Sequence, residues 1–327
     1  MGEEAGLEFR LWRGAATKAM TGVNPTDREQ GRIEMKKVLR GIIPPTVTPF
    51  KANEDLDEGA LRDEVRFMFG AGVHGISFGG STGEGAVLSD MELARGVEIV
   101  QEENKADLPV LCGIIRNSTR EAVRAGLAAK AAGADVLMVT PTHYFGATEA
   151  GNYEFYKVLA AETGLPIIVY NVVKSNPVSP QAMKKMSEIE GVIGIKQSFG
   201  GIHVLTDMIF ACKGKTLVFG AQDDLLYVSY LLGADGAISA VLALFPRLLV
   251  EQWNAVQEGD LERAKEIHYR VLPVWRKIEG DAFPGKIKAA INLTGRKVGK
   301  GRSPILELPE QELRELREEM IRSGFLP

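Results

Sequence analysis

Short apolar runs alternate with longer amphipathic stretches along most of this chain. The runs are Gly41 to Val47, Gly75 to Phe78, Pro109 to Ile114, Val136 to Val139, Pro166 to Tyr170, Val192 to Lys196, Thr216 to Phe219 and Gly236 to Ser239. Each has the length of a strand and is apolar at consecutive positions, which predicts burial on both faces, as in a parallel sheet. Between the runs, Leu61-Val65-Met68-Phe69, Leu93-Val97-Val100 and Met183-Met186-Ile189 carry helical spacing. Glycine follows the periodic stretch at Ala71-Gly72, Ala132-Gly133, Thr163-Gly164 and Leu232-Gly233, where a helix end favours a left-handed residue. Ser89 and Ser179 stand where N-caps belong.

Eight strand-helix units in near-even succession predict an α/β fold, a (β/α)8 TIM barrel with a C-terminal helical extension, rather than an open doubly wound sheet. Residues 38–258 form the barrel on this reading. Residues 259–327 form a helical region packed on it, with helices over Asp260 to Ile278, Asp281 to Leu293 and Glu310 to Ser323, and no evident chemistry of its own. Residues 1–37 show no sustained periodicity and read as a poorly ordered tail, with Met35 a candidate start of the native protein.

Charge and composition narrow the partners. Of the 327 residues, 45% are apolar and 25% charged, an ordinary globular balance; the net charge of -4 argues against nucleic acid, which calls for a clustered basic face. No apolar run approaches the ~18 residues of a membrane span, and no secretory h-region opens the chain. Cys112 and Cys212 lack metal-ligand spacing and make no disulfide framework, so they read as buried small hydrophobes in a cytoplasmic protein. No metal or organic cofactor is expected.

In such barrels the chemistry lies at the C-terminal ends of the strands. The polar residues there are Ser81-Thr82-Gly83-Glu84, Thr142-His143-Tyr144, Tyr170-Asn171, Lys196-Gln197-Ser198 and Asp223-Asp224. Lys196 is the most informative. It follows the apolar run Val192-Ile193-Gly194-Ile195, and a lysine buried there loses stabilisation of its charged form, by up to ~3–5 pKa units. A neutral amine attacks a carbonyl to give a Schiff base; the bland alternative is a lysine reaching out to solvent. Tyr170 ends the neighbouring strand, close enough to move protons as general acid and base, although a tyrosine there serves equally to close the core. The turn Gly79-Gly80-Ser81-Thr82-Gly83-Glu84-Gly85 allows backbone amides to approach a carboxylate or a phosphate, or is simply a tight turn. Glu84 is expected to support that turn. Among the histidines, His74 reads as structural, His203 as surface, and His143 alone as lying at the catalytic end. Asp223 and Asp224 read as helix-capping or hydroxyl-binding groups rather than as metal ligands.

Gly80-Ser81-Thr82-Gly83-Glu84, Val169-Tyr170-Asn171-Val172 and Gly194-Ile195-Lys196, in that order and at those strand ends, resemble the dihydrodipicolinate synthase and N-acetylneuraminate lyase family of pyruvate-type class I aldolases. The resemblance runs from about residue 38 to the end. It implies Lys196 as the Schiff-base residue, Tyr170 as acid and base, and Ser81, Thr82 and Gly80 around the carboxylate, with Ile238 and Ser198 also lining the substrate. It implies a homotetramer, a dimer of dimers, in which Tyr144 reaches the neighbour's site while His143 holds the strictly aligned position. Two departures bear on substrate. Ser175 replaces the arginine with which dihydrodipicolinate synthases bind the aldehyde's carboxylate, with Lys174 as a partial substitute. Ala240 replaces a serine of the neuraminate lyases, although Asp223 and Asp224 resemble their hydroxyl-binding pair.

The expected function is a Schiff-base lyase acting on pyruvate or a related small-molecule 2-oxo acid, by aldol cleavage or condensation or by dehydration of a sugar-derived 2-oxo acid. The alternatives are a 4-hydroxy-tetrahydrodipicolinate synthase, condensing pyruvate with aspartate semialdehyde, and a non-catalytic barrel that binds an oxo acid.

Overall fold

The computed structural model describes residues 37–327. The expectations for the N-terminal tail and for a start at Met35 lie outside the described residues. The strands are β1 (Gly41–Ile42), β2 (Ile76–Phe78), β3 (Val110–Ile114), β4 (Val136–Val139), β5 (Ile167–Asn171), β6 (Val192–Gln197), β7 (Leu217–Gly220) and β8 (Gly236–Ala237). They pair in parallel in the order β1-β8-β7-β6-β5-β4-β3-β2. The ring closes between β1 and β2. Thr46 N–H donates to the Ser77 carbonyl at 2.8 Å, and Ser77 N–H donates to that of Pro44 at 3.0 Å. β1 is shorter than its apolar run because Pro44 and Pro45 carry no N–H for the ladder.

Helices follow the strands in turn: α1 (Glu58–Gly70), α2 (Asp90–Glu103), α3 (Thr119–Ala131), α4 (Glu149–Thr163), α5 (Pro180–Met186), α6 (Gly201–Cys212) and α7 (Leu226–Leu231). After β8 come α8 (Val241–Leu244), α9 (Pro246–Glu258), α10 (Leu261–Ile278), α11 (Phe283–Leu293) and α12 (Glu310–Arg322). Ser89 caps α2 in a reciprocal capping box with Glu92, and Ser179 caps α5 ahead of Pro180. His74 is structural: its Nδ1 accepts the Ile42 N–H at 3.0 Å, and burial holds its pKa below the usual histidine value. His203 is exposed.

Two apolar layers result. The larger lies between the strands and the helix ring, with Ile76, Phe78, Val169 and Ile195 facing α-helical residues such as Val97 and Leu159. The smaller fills the barrel: Ile43, Leu111, Met138, Ile168, Tyr170, Phe219 and Ile238. Successive strand residues face opposite sides, so Ile168 and Tyr170 point inward while Val169 points out. Among the described residues, no helix is long and apolar enough to cross a membrane.

One buried ion pair ties α1 to the chain after α11. Glu64 sits 2.9 Å from Arg296, whose guanidinium also donates to the carbonyls of Ala243 and Leu244 and lies 4.2 Å from the centroid of the Phe67 ring. Arg296→Met strands the Glu64 carboxylate. It is expected to lower the unfolding free energy by about 3–5 kcal/mol, read as the shift of a urea or guanidinium denaturation curve at constant slope.

Candidate active site

The β5–β6 ladder sets the central geometry. Tyr170 and Lys196 are direct register partners, so both side chains project from the same face of the sheet, into the barrel. Both are buried, at 3% and 4% exposure. The Lys196 Nζ stands over the Tyr170 ring, 3.9 Å from its centroid. The Tyr170 hydroxyl donates to the Ser81 Oγ at 2.9 Å, across from β5 to the turn after β2. The next residues lock the two strand ends together. Asn171 Nδ2 donates to the Gln197 Oε1 and to the Val178 carbonyl, each at 2.8 Å. Lys196 therefore lies at the open end of the barrel with its nitrogen held inside.

The turn that carries Ser81 and Thr82 is compact. Gly85 N–H donates to the Gly80 carbonyl at 3.0 Å, and Thr48 Oγ1 donates to the Gly83 carbonyl at 2.6 Å. A Cβ at Gly85 would stand 1.6 Å from the Gly79 carbonyl oxygen, so only glycine fits. Glu84 sits at φ 55°. It pairs with Lys288 of α11 at 2.5 Å and accepts the Arg302 N–H at 2.8 Å. Lys288 is fully buried, lies 4.4 Å from the centroid of the Phe50 ring, and donates to the Lys300 carbonyl at 2.9 Å. Burial pulls its pKa below the usual lysine value, with Glu84 opposing. Glu84 thus supports the turn.

The other expected site residues divide. Ile238 is wholly buried in the barrel interior beside Tyr170. Ser198 has a buried hydroxyl with no protein partner. Asp223 is near Lys196; its Oδ1 accepts the Ser239 hydroxyl in a short contact and the Val241 N–H at 2.6 Å. Burial pushes its carboxyl up to about 6, while those two bonds and the Lys196 charge pull it down. Asp224 is not brought to Lys196: it pairs with Arg276 of α10 at 2.8 Å. His143 is held on Asn117, whose Nδ2 meets its Nε2 at 2.9 Å and whose Oδ1 accepts the backbone N–H groups of His143 and Tyr144. Tyr144 and Phe145 stack edge-to-face on the surface, 77% and 80% exposed, so Tyr144 does not reach the site of its own chain. Lys174 and Ser175 are exposed. Among the described residues, no group of three His, Cys, Asp or Glu is placed to hold a metal ion.

A cavity of about 340 Å³ opens beside Ser81. Its walls include Val172 and Val173 after β5, and Phe283, Pro284, Arg302 and Ile305 from the C-terminal region. The C-terminal region, expected to carry no evident chemistry of its own, lies against the candidate site. Its residues form one wall of the cavity, and Lys288 anchors the Ser81 turn. Lys288 carried a signal in the sequence, a lysine on the apolar side of a helix among Ile287, Ala290 and Ile291. Phe283 and Ile305 carried none, because nothing local places them near β2.

The profile of the dihydrodipicolinate synthetase family matches residues 38–322. The chain belongs to that family. It is 32% identical over 293 residues to the 4-hydroxy-tetrahydrodipicolinate synthase of Methanopyrus kandleri, covering 88% of this chain and 98% of the relative. Among solved structures it is similar to the prophage family member YagE from E. coli K12, in complex with pyruvate, with a TM-score of 0.84 and 29% identity over 88% of this chain and 99% of that one. It is similar also to the dihydrodipicolinate synthase of Aquifex aeolicus, with a TM-score of 0.82 and 30% identity over 88% and 99%. The chain is accordingly a lyase of the class I aldolase type.

The tightness of the turn gives a prediction. Gly85→Ala forces the Gly79 carbonyl to move and is expected to cost about 1–3 kcal/mol of stability, read as a lower denaturation midpoint.

Proposed function

We propose that this protein forms a Schiff base between Lys196 and pyruvate, or a closely related 2-oxo acid, and makes or breaks a carbon–carbon or carbon–oxygen bond through the resulting enamine. The observation that carries this reading is the buried Lys196 nitrogen on the Tyr170 ring, with the phenol bonded to Ser81. Ser81, Thr82 and the amides of their turn hold the carboxylate of the 2-oxo acid. The Lys196 amine attacks the carbonyl carbon, and the Tyr170 hydroxyl donates the proton that lets the carbinolamine lose water. The imine draws electrons from the adjacent carbon, which gives up a proton and becomes the nucleophile. Addition of that carbon to an aldehyde gives a 4-hydroxy-2-oxo acid after hydrolysis frees Lys196; cleavage is the reverse. No metal or organic cofactor takes part in this scheme.

A second reading, condensation with aspartate semialdehyde, is favoured by the names of the relatives. It needs a cation for the aldehyde's carboxylate. Ser175 stands in place of the family's arginine, Lys174 is exposed, and the Arg302 guanidinium is engaged by Glu92 and by the carbonyls of Val87 and Glu54. A guanidinium fork is not replaced by a serine, so the first reading is preferred. The exposed pair Tyr144 and Phe145 supports an oligomer in which this loop meets a second copy, within the homotetramer the resemblance implies. The buried unpaired thiols Cys112 and Cys212 support a cytoplasmic setting.

Incubation with pyruvate followed by borohydride is expected to add the reduced pyruvyl group to Lys196, mapped by mass spectrometry, and to add nothing in Lys196→Ala. Label on another lysine would sink the assignment. Tyr170→Phe is expected to slow turnover by about 10²–10⁴-fold. Asp223 is ionised above about pH 6 and protonated below. As pH falls through that value its hold on Ser239 and Val241, and so the shape of this part of the site, weakens. The rate of adduct formation is expected to drop along an acid limb near pH 6, and Asp223→Asn to abolish that limb.

A further inference from the structure

The cavity beside Ser81 adjoins the machinery just described, and its chemistry is one-sided. It begins one hydrogen bond from the Tyr170 hydroxyl, through Ser81. Val87, Ile115, Val172, Val173, Phe283 and Ile305 turn apolar side chains to it. The charged groups of its walls are engaged elsewhere, Glu84 by Lys288 and Arg302 by Glu92, and the Ser303 hydroxyl is taken by Glu54. Of the lining hydroxyls, that of Ser81 meets Tyr170 and that of Thr140 is buried with no partner. His143 is held by Asn117. Ala282, in front of Phe283, takes a left-handed φ of 55°, a strained conformation for a residue with a Cβ, and one that sets the aromatic side chain against the cavity.

We infer that this cavity receives the substituent of the acceptor aldehyde, and that the substituent is apolar, a branched alkyl group or a single aromatic ring. The inference rests on the Schiff-base reading and names its second substrate. In the condensing direction the enamine carbon bonds to the aldehyde carbon. The carbonyl π pair moves to oxygen, which takes a proton from the Tyr170–Ser81 pair, and water then cleaves the imine to give a 4-hydroxy-2-oxo acid with an apolar group on C4. At about 340 Å³ the cavity holds one small ring; small-molecule pockets span ~300–1,000 Å³. A polyol chain placed there loses the water on several hydroxyls and meets only the hydroxyls of Thr140 and Ser81 in return. A carboxylate there meets no unengaged cation on the wall. Of Asp223 and Asp224, the pair expected to bind sugar hydroxyls, Asp224 is turned to Arg276 and Asp223 accepts from Ser239 and Val241.

The test has two arms. In the first, the pyruvate adduct on Lys196 is trapped with borohydride; its absence overturns both the Schiff-base reading and the inference. In the second, condensation with pyruvate is followed for benzaldehyde, isobutyraldehyde, glyceraldehyde and aspartate semialdehyde. The expected result is a kcat/KM for benzaldehyde or isobutyraldehyde about tenfold or more above the other two. Glyceraldehyde or aspartate semialdehyde matching or exceeding them, with the adduct still forming, overturns the inference alone. Val173→Lys and Ile305→Lys charge opposite walls, and each is expected to raise KM for the preferred apolar aldehyde at least tenfold. Adduct trapping on each variant reports whether its barrel is intact. An unaltered KM in an intact variant removes the cavity as the acceptor site.

Discussion

The contact between the Tyr170 hydroxyl and Ser81 joins opposite parts of the barrel mouth, and the catalytic reading depends on it. Tyr170 sits on β5, its ring holds the Lys196 nitrogen from the neighbouring strand, and its oxygen ends on the turn after β2. This placement requires β5 and β6 to pair with Tyr170 opposite Lys196. A slip of one residue would send the lysine outward into the helix layer, where Ile195 now packs. The clamp of Asn171 on Gln197 and on Val178 secures that register at the last residues of the strands.

The turn at the far end of the hydroxyl contact is itself held from outside the barrel. Glu84 has two partners from the C-terminal region, the Lys288 amine and the Arg302 backbone. Arg302 in turn reaches Glu92 at the start of α2 and the carbonyls of Glu54 and Val87. Replacing such a buried pair by apolar groups often costs little, but removing one partner strands the other charge. The arrangement is therefore better understood as fixing the position of Ser81 than as a store of stability. It links the region after residue 259 to the turn that carries Ser81 through Glu84.

Most of the architecture was legible because strand burial and helix periodicity are local properties. The apolar runs located the strands to within a few residues, and Ser89 and Ser179 marked helix starts that the structure shows as caps. The first run, read as Gly41 to Val47, is too long: β1 ends at Ile42 because Pro44 and Pro45 bring no N–H to the ladder. At the site, Lys196 beside Tyr170 follows from two runs of similar length ending at the same rim, which is again local. The destination of Asp224 was not legible: two adjacent carboxylates look alike in sequence, and only the packing of α10 separates the buried Asp223 from Asp224 on Arg276. Nor was the cavity wall, because Phe283 and Ile305 lie about 200 residues from Ser81 in the chain and meet it only through the fold.

That division has a chemical counterpart. The groups around Lys196 come from strand ends, whose positions the sheet fixes, and on the function proposed above they act on the part of the substrate that carries the carbonyl and carboxylate. The cavity is bounded by the segment after β5, the turn after β2 and the stretches flanking α11. Those loops hold no ladder hydrogen bonds in common, so residues such as Val173 and Ile305 are free to differ without disturbing the Tyr170–Lys196 register. A barrel built this way keeps one carbonyl chemistry while the partner aldehyde is chosen by side chains of separate origin. Ser175 in place of the family's arginine and the apolar lining of the cavity are, on the inference drawn above, two consequences of that separation.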